Sequence, residues 1–368
     1  MPSSAGNTLA ITDIELRNFR CFSHFKTAFD GPIVLVEGGN GSGKTSLLEA
    51  VYYACYLRSF RSGSPRELIH FGRDNFFVSV GVQVQSDTRD AHRIQVGFAD
   101  GKRIVRANQR KISSYRELME YVRVVCLSED DLAVVRGSPQ SRRLFLDHAL
   151  LLHDPDYAQR MRTFRQVVDN RNALLRGAWR ADVYAVMTEQ LWHASRAIEE
   201  QRSVFLSELQ ARLGQLITCY FDDEFSIDLA YRATAGEHES FDSFFADPRR
   251  LEGQERRMCR SVFGAHLDDF CVEMRGKRAR TFASRGQQKL VALLLRLAQL
   301  GTMAQLCAPQ PPLLIDDFMA DFDEKTTAIL LNGLRDTGLQ LVFTSPVSGG
   351  FLSNKLLDMG CTRIDMTG

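Results

Sequence analysis

Short apolar stretches at residues 11–16, 21–29 and 32–37 predict three strands, the third running into glycines and then into a helix from Lys44 to about Tyr56. Phe77, Val78, Val80, Val82 and Val84 mark a further strand at 76–85. One at 92–98 follows, and the Asp100-Gly101 turn leads to another at 103–107. From Asp156 to Ile217 the apolar spacing changes to threes, fours and sevens: Tyr157, Met161, Phe164, Val168 and Leu175, then Leu191, Ala194, Ile198, Phe205, Leu209, Leu213 and Leu216. Two helices folded back on each other satisfy this pattern, the longer spanning roughly 40 Å at 1.5 Å per residue. That is a lobe and not an arm. Strands resume at 225–231, and segments 270–274 and 278–282 around Arg275-Gly276 suggest a hairpin. A long apolar helix is expected at 284–305. Strands at 312–316 and 339–344, separated by a helix at 324–335, alternate as βαβ units do.

With 368 residues, 44% hydrophobic and 25% charged, the chain has the apolar material for a large domain and a smaller one, which excludes disorder as its main state. Its most apolar run, 290–300, is cut by Arg296 and preceded by Lys289, and so falls short of the roughly 18 residues of a membrane span. Residues 1–4 lack the basic start and apolar stretch of a secretory signal, so a cytoplasmic protein is expected. Eight scattered cysteines fit neither a zinc ribbon nor a disulfide framework and are expected as reduced, mostly buried thiols.

The net charge of +1 conceals an asymmetry. Residues 93–123 carry eight Lys/Arg against three acids, and residues 136–180 nine Arg against four Asp. Residues 182–252 reverse the balance with fourteen acids against six Arg, and 274–289 hold six basic residues and no acid. Such segments are either solvated faces or a polyanion-binding surface.

Gly38-Gly39-Asn40-Gly41-Ser42-Gly43-Lys44-Thr45 matches the phosphate-binding loop in full, between an apolar strand and a helix. Glycines let backbone N–H groups turn inward around a triphosphate, Lys44 reaches its β- and γ-phosphates, and Thr45 ligates Mg²⁺. Leu313-Leu314-Ile315-Asp316-Asp317 is an apolar strand ending in two acids. Asp316 suits the Mg²⁺ role and Asp317 the orientation or deprotonation of attacking water; otherwise both are solvated carboxylates at a strand end. Ser284-Arg285-Gly286-Gln287 opens a helix, where Ser284 is either a cap or part of a phosphate contact. Since Lys44 serves this subunit's own nucleotide and lies 240 positions away, that contact would fall on the nucleotide of a second subunit. His266, beside Asp268 and Asp269, reads more readily as a structural histidine than as a metal ligand.

These elements together resemble the ABC-type ATPase heads of the SMC group, and within it the RecF family. Asn18-Phe19-Arg20, Leu57-Arg58-Ser59-Phe60-Arg61, Glu129-Asp130-Asp131-Leu132, Gly137-Ser138-Pro139 with Arg142-Arg143 and Phe145-Leu146-Asp147, and Gly264-Ala265-His266-Leu267-Asp268-Asp269 extend the similarity along nearly the whole chain. The resemblance implies an α/β fold: an ABC-type P-loop head with a mixed β-sheet, discontinuous over 1–135 and 220–368, and an inserted helical lobe at 136–219. It implies a weak, DNA-stimulated ATPase using ATP and Mg²⁺, which closes as a homodimer on duplex DNA near single-stranded gaps and works with RecO and RecR to load RecA. By the same resemblance Arg20 lies at the nucleotide edge, Glu129 or Asp130 senses the γ-phosphate, and Asp323 belongs to the loop after the Mg²⁺ strand. Thr344 and Ser345 stand where ABC transporters keep a switch histidine, which implies slow hydrolysis. An SMC-like ATPase of other biology, such as phage defence, and a transporter ATPase subunit are the alternatives; a nucleotide kinase has no use for the Ser284 segment.

Overall fold

The computed structural model describes residues 7–85, 87–154, 156–177, 180–221, 225–303, 309–346 and 349–366. In chain order its elements begin with β1 (Leu9–Phe19), β2 (Phe22–Ala28), β3 (Ile33–Glu37), α1 (Lys44–Tyr56), β4 (Asn75–Val84), β5 (Asp87–Ala99), β6 (Lys102–Ala107), β7 (Arg110–Lys111), α2 (Tyr115–Tyr121) and β8 (Val125–Leu127). There follow α3 (Leu132–Arg136), α4 (Pro139–His153), α5 (Tyr157–Arg176), α6 (Ala181–Tyr220), β9 (Ile227–Arg232), α7 (Phe241–Phe244), α8 (Pro248–Met258), β10 (Asp269–Met274), β11 (Lys277–Arg278), α9 (Ala279–Phe282) and α10 (Arg285–Met303). The chain closes with β12 (Leu313–Ile315), α11 (Glu324–Arg335), β13 (Leu341–Ser345), α12 (Phe351–Asp358) and β14 (Thr362–Asp365). Two compact units result: Met1–Asp131 with Ala304–Gly368, and Leu132–Met303.

The first unit separates its strands by direction. An antiparallel sheet runs β2-β1-β4-β5-β6-β7, and a parallel sheet runs β14-β3-β13-β12-β8. The expected mixed sheet is thus two sheets of unlike kind. Every residue of β3, β8, β12 and β13 is buried, as strands covered on both faces require. Helix α1 packs on β1, β4 and β5 of one sheet and on β13 of the other, and all its residues except Thr45 are buried. A helix enclosed on all sides has no solvated stripe, so any charge it carries must find a partner inside.

The second unit is built on α6, forty residues long and so about 60 Å, half as long again as the apolar spacing suggested. Its first two turns are anchored by Tyr184 and by the buried Thr188, positions that a count of aliphatic residues passes over. Helices α4, α5 and α10 and strand β9 pack along it. Residues 225–303 fall in this compact unit together with the helical segment. The hairpin expected at 270–282 is only half formed: β10 pairs with β11, but residues 279–282 coil into α9. There Gln288 Nε2 donates to the carbonyls of Arg280 and Ala283, at 3.2 and 3.1 Å, which binds that segment to α10 instead of to a strand.

Helices α2, α4, α8 and α12 were not evident from apolar spacing, because each is short or strongly charged. Among the seven described cysteines only Cys55 and Cys126 are buried, which corrects the expectation of mostly buried thiols; Cys307 lies outside the described residues.

Candidate nucleotide-binding site

The loop between β3 and α1 is shaped by its glycines. Gly41 and Gly43 have φ of 85° and 103°, where other residues are strained. A Cβ on Gly43 would lie 2.6 Å from the Phe22 ring, and one on Gly38 would lie 2.6 Å from Ser42 Oγ and 2.8 Å from Met366 Cβ. Gly43 caps α1 without any side-chain hydrogen bond, so the dipole of a thirteen-residue helix ends in bare backbone at the loop. Lys44 Nζ donates to the carbonyls of Gly38 and Gly39 at 2.6 and 2.8 Å, which folds its buried side chain back over the loop.

Strands β3, β13 and β12 are consecutive parallel neighbours, with Val36 opposite Thr344 and Phe343 opposite Ile315. Their carboxyl ends therefore gather three segments far apart in sequence. Thr45 Oγ1 and Thr344 Oγ1 each donate to Asp316 Oδ1 at 3.0 Å, and the Asp317 N–H donates to Thr344 Oγ1 at 2.8 Å. Burial pushes the Asp316 carboxyl above its ordinary value, while the two threonine hydrogen bonds and the charges of Arg61 and Lys44 pull it back. A hydroxyl and a carboxylate so placed are hard oxygen donors, the set that suits Mg²⁺. Asp317 has φ 48°, an uncommon conformation for a residue other than glycine and the kind of strain held at functional turns.

The remaining candidates divide. Arg20, φ 51°, makes a bidentate pair with the fully buried Glu49 of α1 (2.8 and 2.7 Å) and also donates to Ser62 Oγ and the Glu67 carbonyl. These partners are all protein groups. Glu129 and Asp130 lie exposed in a 3-10 turn after β8, yet partial desolvation of the Asp130 side chain, together with the Asp131 charge, raises its carboxyl against the pull of Arg61. Asp323 caps α11, accepting from the N–H and hydroxyl of Thr326, both at 2.8 Å.

In the second unit, Ser284 and Gln287 cap each other: Ser284 Oγ accepts from the Gln287 N–H at 3.3 Å, and Gln287 Oε1 accepts from the Ser284 N–H at 2.9 Å. Ser284 and Arg285 are exposed, and Gly286 and Gln287 partly so. The cap reading is therefore satisfied within the subunit. His266 is half-buried against Phe164, and burial with three nearby arginines lowers it to about 4; no group of three metal-ligating side chains occurs among the described residues.

Two residues quoted from the sequence, Thr344 at the switch position and Arg61 in the motif after the phosphate-loop helix, take parts at the site that the sequence did not foretell. Thr344 links Asp316 to Asp317, and Arg61, exposed, is a charged neighbour of both Asp316 and Asp130. Arg61 follows the phosphate-loop helix closely, but nothing in its spacing foretells that proximity. The basic segments also divide. Lys102, Arg103, Arg106, Arg110 and Lys111 are exposed on the edge hairpin β6–β7, whereas Arg142 and Arg171 of the 136–180 segment are buried, paired with Asp269 and Glu255.

Comparison with known proteins agrees with this geometry. The family model described as "RecF/RecN/SMC N terminal domain" matches residues 10–354. The chain is 30% identical over 345 residues to the DNA replication and repair protein RecF of Acholeplasma laidlawii, covering 92% of this chain and 95% of that one. It is 28% identical over 363 residues to the RecF of Clostridium acetobutylicum, covering 96% and 98%. In fold it is similar to the structure of "the recombination mediator protein RecF-ATPrS in RecFOR pathway", with a TM-score of 0.81 at 24% identity over 94% of each chain. It is more distantly similar to the Smc head domain of Pyrococcus furiosus, with a TM-score of 0.57 at 14% identity over 97% of this chain and 93% of that one. The fold is that of an SMC-like ABC-type ATPase head, and the chain belongs to the RecF family within the RecF/RecN/SMC N-terminal domain group.

Proposed function

We propose that the chain is an ATP-dependent DNA-binding ATPase of recombinational repair and replication-fork maintenance, acting as a recombination mediator. The observation that carries this reading is the convergence of Thr45, Asp316 and Thr344 beside the Lys44 loop, at the carboxyl ends of β3, β12 and β13. Lys44 and the amides of residues 38–43 hold the phosphates of ATP. Thr45 and Asp316 would hold Mg²⁺, which when bound would supply positive charge to offset the charge that develops on the phosphates. Asp317, its backbone fixed by Thr344, orients or deprotonates the attacking water. Glu129 or Asp130 senses the γ-phosphate. Asp323 keeps the loop after β12 in place for the dimer, and Arg20 fixes the nucleotide edge through its turn.

A second copy supplies Ser284, Arg285, Gly286 and Gln287 to the nucleotide, releasing their mutual cap as ATP closes the homodimer. The closed dimer holds double-stranded DNA near single-stranded gaps and, with RecO and RecR, promotes RecA loading; slow hydrolysis, stimulated by DNA, releases it. The exposed basic hairpin β6–β7 supports the DNA contact, because five cations on one sheet edge suit a phosphate backbone. ATP should raise the affinity for duplex DNA over ADP, and Lys44→Met should remove that difference with the circular dichroism spectrum unchanged. An ATP-dependent affinity that survives Lys44→Met contradicts the reading.

A further inference from the structure

Glu49 is the only carboxylate on the enclosed helix α1 and is fully buried, five residues beyond Lys44. Burial of a carboxylate is costly unless its oxygens are filled, and here they are filled by two other segments. From the β1–β2 turn, Arg20 donates Nε to Oε2 at 2.8 Å and a terminal nitrogen to Oε1 at 2.7 Å. From the loop after α1, the Ser59 hydroxyl donates to Oε1. Each segment is fastened in turn. The Arg20 backbone donates its N–H to the Leu68 carbonyl at 2.7 Å, and its carbonyl sits 2.7 Å from His70 Nδ1. The Ser59 oxygen accepts from the N–H groups of Arg61 and Ser62, at 2.8 and 2.9 Å.

We infer that Glu49 is a positioning residue: its carboxylate ties the phosphate-loop helix to the turn carrying Arg20 and, through Ser59, to the backbone that presents Arg61. The chain of hydrogen bonds runs from Glu49 to Ser59 Oγ to the Arg61 N–H without a gap. Arg61 is exposed, so packing does not hold its side chain, and the backbone that carries it is its anchor. The hydrogen-bond chain starts on the helix that opens with Lys44, so it ties the phosphate loop's own helix to the backbone that carries the Arg61 cation. A cation held there by a rigid scaffold aids a reaction that accumulates negative charge, and one held loosely aids it less.

The inference rests on the reading of the loop as an ATP-hydrolysing site, and a double-mutant cycle separates the two. Steady-state hydrolysis is measured for wild type, Glu49→Gln, Ser59→Ala, Arg61→Ala and both pairs with Arg61→Ala. Glu49→Gln and Ser59→Ala should each lower kcat by about 10- to 100-fold with KM for ATP little changed, since misplacement of an aligned group costs that much. In the Arg61→Ala background both should have almost no further effect. Independent, multiplicative losses would overturn the positioning role, as would a fall in melting temperature with kcat per nucleotide-binding site unchanged. Absence of ATP hydrolysis in the wild type would instead defeat the underlying reading of the site.

Discussion

Thr45 Oγ1 lies 3.0 Å from Asp316 Oδ1, although 271 residues separate them. The parallel order β3-β13-β12 brings them together, and Thr344 on the middle strand completes the contact. Asp316→Asn preserves the shape but removes the charge and one acceptor that a divalent cation needs. Hydrolysis should fall on the order of 10²-fold or more, as when one preorganised stabilising group is lost. Phosphate release at saturating Mg²⁺ and ATP measures it, and a rate within twofold of wild type would remove Asp316 from the site.

The mutual cap of Ser284 and Gln287 makes the dimer reading testable by complementation. Ser284→Arg and Lys44→Met should each be inactive alone. Mixed in equal amounts they form heterodimers in which one of two sites has both residues intact. Random pairing then restores about a quarter of wild-type hydrolysis. Recovery absent at every protein concentration would place Ser284 outside the neighbour's site.

Arg171 and Glu255 form an ion pair with neither side chain exposed, joined by Tyr184, Thr188 and Ser261. Arg171 also lies over the Tyr184 and Phe263 rings, 5.0 and 5.2 Å from their centroids. Removing one partner leaves the other charge buried, so Glu255→Ala should cost about 3–5 kcal/mol. Urea unfolding reads this directly; a loss under 1 kcal/mol would mean that water enters the site freely.

Much of the candidate nucleotide site was legible, because its parts are local. The glycines that permit positive φ, the apolar strand before them and the two acids after another apolar strand are each contiguous, and α1 and α11 begin and end where the sequence suggested. What was illegible is carried by polar groups paired across the chain. Arg171 looks like an ordinary charge until Glu255 is found against it, and the pairing of Arg20 with Glu49 was equally hidden. The 136–180 segment lost part of its claim as a polyanion surface for the same reason. The length of α6 was missed because Thr188 is a buried polar anchor, and the α9 turn because a side chain ten positions after Arg278, Gln288, holds its carbonyls.

His266 is lowered to about 4 from its ordinary 6.5, so the folded chain binds that proton less readily than the unfolded one. Stability from this group is complete above about pH 6.5 and is lost as pH falls toward 4. Urea midpoints at pH 8 and pH 5 should therefore differ less in His266→Gln than in wild type. An unchanged difference would show that His266 titrates alike in both states.

In the proposed function, nucleotide state controls DNA binding. Fluorescence anisotropy of labelled gapped duplex DNA, with ATP, with ADP and without nucleotide at two salt concentrations, tests it most directly. Binding should be tightest with ATP and weaken with salt, as phosphate contacts require. Equal or negligible binding in all three states would contradict the account.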